Sequence, residues 1–269
     1  MDIKKTEAQM ITEPWLPNCS SKENEVLPPR TTVEPSDILV KALAEANADP
    51  ENVEKWIAVG RAYRRQNMFR ESIEAYSIGM EHNPFYALLY RHRGHSYLNT
   101  GRYYEAVGDF EVALRLDPSN FESWYHQGVS FFMIGEFART EYVMRKSLDM
   151  VTESADITCT TDWLWRSLAR QGKLDEAAEV LAGYDTSKKP SGAMDYFRSI
   201  QFYKGDITPK EALADNKVTT DYGVVNYYLA NGRKDEALAL AKTVLEKYRK
   251  ELWPAFGYRG CEVELERLA

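Results

Sequence analysis

Three consecutive stretches decide the fold: WIAVGRAYRRQNMFRESIEAYSIGMEHNP (56–84), YRHRGHSYLNTGRYYEAVGDFEVALRLDP (90–118) and WYHQGVSFFMIGEFARTEYVMRKSLDMVT (124–152). Written one under another, they are in register at a period of 34 residues. Trp56, Gly60, Tyr63, Tyr76 and Pro84 recur as Tyr90, Gly94, Tyr97, Phe110 and Pro118. They recur again as Trp124, Gly128, Phe131 and Met144, with Thr152 where the Pro would stand. A period of this length marks an array in which each unit buries its apolar face only by stacking on its neighbours. Each unit reads as a helix, a turn and a helix. Gly60, Gly94 and Gly128 let paired helices approach, the aromatics fill the space between units, and Gly101 and Gly135 stand where a left-handed residue ends a helix.

Working outward from this core, Ser36 offers a helix cap and 37–47 reads as a helix closing near Asp49-Pro50. Pro50 lies 34 residues before Pro84, so 36–50 is the second half of a truncated repeat and caps the first full one. Three regular repeats fill 53–154. Beyond them, QGKLDEAAEVL (171–181), YKGDITPKEALA (203–214) and NGRKDEALALA (231–241) each read as a turn entering a second helix. These place three divergent repeats in 158–249, at 158–188, 191–216 and 218–249. Their first helices carry Trp165, Arg198 and Val225 where the packing glycine is expected, which predicts splayed or twisted pairs. WPAFGYRGCEVELERLA, with Pro254 near a helix start, predicts a C-terminal capping helix in 252–269. Residues 1–35 carry Pro14, Pro17, Pro28, Pro29 and Pro35 and no sustained period, and read as a disordered or extended tail.

The net charge of -7 argues against nucleic-acid binding, which shows a basic footprint. Cys19, Cys159 and Cys261 make neither a disulfide framework nor a metal pair, and read as free thiols. No run approaches the roughly 18 apolar residues of a membrane span. The first residues lack an apolar signal core. A cytoplasmic protein with no membrane contact is expected. Phosphate-cradling, dinucleotide, GxSxG and HExxH motifs are all absent from the sequence, so binding rather than catalysis is expected, with no cofactor.

The aromatic-x2-L-G-x2-Y…A-x3-F…P pattern resembles the tetratricopeptide repeat superfamily over roughly 36–269, most closely over 53–154. LLYRHRGHSYL, TTDWLW, YGVVNYYLANG and WPAFGY are similar to segments of a group of bacterial tetratricopeptide repeat proteins without a settled biochemical role. The resemblance implies an all-α, right-handed superhelical solenoid of antiparallel helix pairs, with about six repeats plus capping helices. It also implies that the first helix of each pair lines a concave groove, which in such proteins mostly binds peptides or partner proteins.

On that resemblance, positions 2, 5, 9 and 12 of each first helix face the groove. They bring Arg61, Arg64, Arg91 and His95 to its N-terminal part, and Tyr125, Asp162, Arg166, Asp195, Tyr222 and Asn226 to its later part. Guanidinium groups grip carboxylates through paired hydrogen bonds, so the N-terminal part favours acidic groups. Asp162 and Arg166, at i and i+4, equally suit an internal ion pair. One subgroup of the superfamily holds a C-terminal carboxylate with Lys and Asn at two positions where this chain has Ile57 and Arg61, which argues against that clamp. His92 and His126 are one period apart and lack a completing ligand set; an internal packing role is expected and metal is not. Arg93 and Gln127 stand at packing positions where Leu is usual.

Two functions remain open. One is an interaction module that holds a peptide or partner protein in the groove. The other is a small-molecule binder or enzyme using a pocket enclosed by the superhelix and lined by Tyr125, Asp162, Trp163, Arg166, Tyr222 and Asn226. The acidic, apolar stretch Glu13–Trp15–Leu16 would suit an Arg-lined groove if the tail folds back.

Overall fold

The computed structural model describes residues 33–249 and 252–268. Among these, every regular element is a helix, fourteen in all. α1 (Asp37–Ala48) precedes the pairs α2 (Val53–Arg65) with α3 (Phe69–His82), α4 (Ala87–Asn99) with α5 (Tyr103–Leu116), and α6 (Phe121–Ile134) with α7 (Phe137–Leu148). The divergent half follows as α8 (Ser154–Arg170) with α9 (Leu174–Ala182), α10 (Met194–Lys204) with α11 (Pro209–Ala214), and α12 (Val218–Ala230) with α13 (Lys234–Tyr248). α14 (Phe256–Leu268) comes last. The chain is a solenoid of helix pairs.

The physical basis of the period is visible in the three regular repeats. The polar atom of each leading aromatic bonds the carbonyl of the Pro six residues earlier: Trp56 Nε1 to Pro50 at 2.7 Å, Tyr90 OH to Pro84 at 2.9 Å and Trp124 Nε1 to Pro118 at 2.9 Å. Each aromatic therefore locks the linker that delivers its own repeat. A Cβ on Gly60 would lie 2.3 Å from the Tyr76 ring, so only hydrogen fits where α2 meets α3. The cap on α1 is as expected, with the Leu39 amide donating to Ser36 Oγ at 3.4 Å. Arg93 is not an orphan: it forks onto Asp109 at 2.8 Å and reaches Ser77 Oγ at 3.0 Å.

In the divergent half the expected loss of close packing is corrected in part. Trp165 stacks on Tyr203 of the next repeat, with centroids 3.6 Å apart. The close approach moves to Gly223, two residues before Val225, where a Cβ would sit 2.7 Å from Ser199 Oγ. α8 also starts at Ser154, earlier than the expected 158.

The helix expected within 252–269 does more than cap. It packs on α12 and α13, with Gly257 and Gly260 so close to α12 that a Cβ would fall 2.4 Å from the Val218 carbonyl oxygen and 2.2 Å from the Tyr222 ring. It also returns to the early repeats. Asn99 Nδ2 donates to the Pro254 carbonyl at 2.8 Å, Arg259 Nε to the Asn99 carbonyl at 3.1 Å and Arg267 Nη2 to the Met133 carbonyl at 2.8 Å. Trp253 meets Phe69 edge-on at 5.4 Å. α14 thus lies across the inner side of the solenoid and ties its two halves together.

Candidate functional site

At the N-terminal end of the inner side a cavity of about 320 Å³ stays open. It runs from the last turn of α2 (Arg64) across α4 (Arg91, His92, His95) to the start of α6 (Glu122, Tyr125, His126) and of α8 (Asp156, Cys159). The sequence-derived residues Arg64, Arg91, His95 and Tyr125 therefore meet in one pocket. Arg61 is exposed beside it, and its charge is felt at Arg64, Arg91 and His92.

Hydrogen bonds fix the pocket's polarity. Arg64 Nη1 donates to His95 Nδ1 at 2.8 Å, which leaves the proton of a neutral His95 on Nε2. His126 Nδ1 lies 2.7 Å from the Glu122 carbonyl and donates to it, so Nε2 of His126 keeps a lone pair. The two rings meet edge-on at 4.4 Å. His92 stacks on Tyr76 at 5.6 Å and His126 on Phe110 at 5.8 Å, the same contact one repeat apart. Arg91 pairs with Glu122 and lies 3.0 Å from His92 Nε2.

Burial, and then the neighbouring guanidinium groups, push His92 down to about 2 and His126 to about 3. Burial also holds His95 well below its ordinary value. All three imidazoles are thus neutral at pH 7. Burial and the charges of Arg64 and Arg61 pull Arg91 down to about 10, and burial lowers Arg64. Two partly buried cations lie beside each other, and among the described residues Arg64 has no carboxylate partner.

The later residues are placed otherwise. Asp162 and Arg166 are fully buried and ion-paired, Arg166 Nε lying 2.7 Å from Asp162 Oδ2, so the internal ion pair describes them and the ligand-binding expectation does not. Arg166 lies between the Trp163 and Tyr222 rings, 4.8 and 5.0 Å from their centroids. Burial pushes the Asp162 carboxyl up to about 6 against the pull of Arg166. Tyr222 and Asn226 are buried beneath α14. They border Glu264, whose carboxylate takes Arg170 at 2.6 and 3.1 Å, Arg267 at 3.1 Å and Tyr222 OH at 3.5 Å. Asp195 is half-buried at the start of α10, where its backbone carbonyl accepts from Thr220 Oγ1 at 2.9 Å. The enclosed pocket expected among Tyr125, Asp162, Trp163, Arg166, Tyr222 and Asn226 is filled by these side chains, with Trp163 Nε1 donating to Tyr125 OH at 3.0 Å.

The sequence does not mark Asp156 as a site residue, nor the pocket-facing roles of His92 and His126. The histidine signal was the 34-residue spacing, which read only as packing. Asp156 fell between the expected repeats because α8 begins a turn early. Among the described residues no cluster of three or more His, Cys, Asp or Glu is arranged to hold a metal, and no helix is long and apolar enough to cross a membrane. The Glu13–Trp15–Leu16 stretch lies outside the described residues.

A solenoid of helix pairs at this period, with the aromatic-to-Pro anchor repeated three times, defines a tetratricopeptide repeat protein. The profile of the family "Tetratricopeptide repeat" matches residues 87–120, the second regular repeat, which supports that superfamily. It is 26% identical over 157 residues to the peroxisomal targeting signal receptor of Kluyveromyces lactis, which covers 55% of this chain and 28% of that protein. It is 32% identical over 75 residues to the serine/threonine-protein phosphatase 5 of Homo sapiens, covering 28% of this chain and 15% of that one. The chain thus spans well under half the length of these curated relatives. In fold it is similar to the tetratricopeptide repeat protein YrrB, at TM-score 0.50 and 16% identity over 79% of this chain and 95% of that one. It is also similar to PilF of Pseudomonas aeruginosa, at TM-score 0.50 and 14% identity over 84% and 87%.

Proposed function

We propose that this chain is a binding protein, not an enzyme, and that it takes a carboxylate-bearing group of a peptide or protein partner in the Arg64–Arg91 pocket. The observation that carries the reading is the uncompensated guanidinium of Arg64 beside Arg91 in a partly buried cavity, next to imidazoles that stay neutral. Charge-assisted hydrogen bonds to a carboxylate would restore both cations to their ordinary range. The name of the curated relative, a targeting signal receptor, fits a recognition role. The unpaired buried thiols of Cys159 and Cys261 suit a reducing, cytoplasmic setting.

One observation favours a small ligand as the alternative occupant of the same pocket: α14 fills the inner side beyond it, so a long extended peptide has no continuous groove to follow. The test is a peptide array probed with the full chain. Binding enriched in carboxylate-rich or free-ended peptides, and lost in the Arg64→Gln/Arg91→Gln variant, is the expected result. Binding that is indifferent to both changes refutes the reading.

A further inference from the structure

We infer that the pocket takes a ligand carrying a carboxylate and a cationic amine or guanidinium on one compact unit: the last residue of a chain ending in Lys or Arg, or a free basic amino acid. This rests on the carboxylate reading above and adds the second charge.

The pocket is dipolar along its length. Arg64 and Arg91, with Arg61 outside, make one end cationic. The other end is the first turn of α8, where Asp156 lines the cavity and Glu153 stands beside it. A carboxylate in the first turn of a helix has a structural reason to be there, since it complements the helix dipole. That reason does not supply a counter-charge: among the described residues Asp156 makes no ion pair. Burial, then the Glu153 charge, raises it, and no arginine of the pocket relieves it. Glu122 answers Arg91 at the cationic end, so Arg64 at that end and Asp156 at the other are the two charges of the pocket without an ion-pair partner among the described residues.

Between the ends the surfaces suit a short aliphatic stem. Tyr125 and Phe121 supply aromatic faces, tilted and 5.8 Å apart, and His126 Nε2 offers a lone pair to a donor. The volume, about 320 Å³, is at the low end of small-ligand clefts, which run about 300–1,000 Å³. The ring of Phe256, at the start of α14, packs against two of the lining imidazoles, 5.7 Å from His95 and 5.9 Å from His126. A chain end or a free molecule fits such a site; the middle of a chain does not.

The experiment is titration calorimetry of the full chain with four probes: an N-acetylated Ala-Gly-Ser-Ala-Lys peptide with a free carboxylate, the same peptide amidated, the same peptide ending in Leu, and free L-lysine. Amidation and the Lys-to-Leu change are each expected to weaken binding by about tenfold, the worth of one charge-assisted contact. Asp156→Asn is expected to erase the preference for Lys over Leu and to keep the sensitivity to amidation; Arg64→Gln is expected to do the reverse. Free lysine binding as tightly as the peptide assigns the site to a small zwitterion, and binding of the peptide alone assigns it to a chain end. Equal binding of the Lys and Leu peptides to the parent chain overturns the inference and leaves the carboxylate reading standing. No binding of any probe at millimolar concentration overturns both. The parent comparison decides the matter even if a variant fails to fold.

Discussion

Glu264→Ala is the most informative perturbation of the closed solenoid. Glu264 is fully buried on α14 and forked onto Arg170 of α8 at 2.6 and 3.1 Å, with Arg267 at 3.1 Å. Removing one partner of a buried pair leaves an uncompensated charge and costs about 3–5 kcal/mol. The lower end applies here. The Arg170 side chain is 10% exposed and the Arg267 side chain 25%, and Arg170 keeps a 3.4 Å contact with Asn226 Oδ1. At about 2–4 °C per kcal/mol for a chain of this size, a loss of about 3 kcal/mol lowers Tm by about 6–12 °C. Differential scanning calorimetry measures it, and limited proteolysis should show earlier cleavage near the start of α14. The double variant Arg170→Met/Glu264→Met removes both charges and is expected to recover more than half of the loss. A fall of less than about 1 °C for Glu264→Ala would refute the reasoning, because α14 would then be held by apolar packing alone.

Further outcomes follow from other contacts. Gly60→Ala places a Cβ against the Tyr76 ring and is expected to cost about 1–3 kcal/mol, whereas Gly108→Ala, with nothing within 4 Å, is expected to stabilise by up to about 1 kcal/mol; urea unfolding separates the two. Stability should fall as pH drops from about 6.5 towards 5. His92 and His126, held at about 2 and about 3 in the fold, take up protons only when unfolded, each contributing up to about 2 kcal/mol of loss. Asp162, raised to about 6, works in the opposite sense between pH 6 and 4 and softens the slope. His92→Gln should flatten the decline by about one histidine's share, as read by denaturation at a series of pH values; an unchanged slope would count against burial as the cause. Arg93→Met strands Asp109 and should cost more than Arg93→Met combined with Asp109→Leu, in the same denaturation assay.

The regular repeats were legible because their determinants lie within one period. Trp56, Tyr90 and Trp124 bond a proline carbonyl six residues back, and Gly60 faces Tyr76 sixteen residues on. Such short separations leave a mark in the spacing. The pocket was half legible: Arg64, Arg91, His95 and Tyr125 follow from helix position alone, while Asp156 needed the true start of α8. The burial of Tyr222 and Asn226 was not legible, since it depends on α14, whose Glu264 meets Tyr222 from 42 residues on and Arg170 from 94. One trace was present. Trp253 and Gly257 repeat the four-residue spacing of Trp56 and Gly60, with Gly260 on the same face, the mark of a helix that expects a close neighbour. Which neighbour is a matter of the superhelix as a whole.

The bonds from Pro254, Arg259 and Arg267 back to Asn99 and Met133 have a temporal side. A repeat array ordinarily folds by neighbour contacts and can consolidate as it leaves the ribosome. Here the segment that braces the early repeats is synthesised after all of them. Until it emerges, the inner surfaces of α4, α6, α8 and α12 stay exposed to water and to other proteins. Ring closure would then be the late, slow step of biogenesis, governed by contacts distant along the chain.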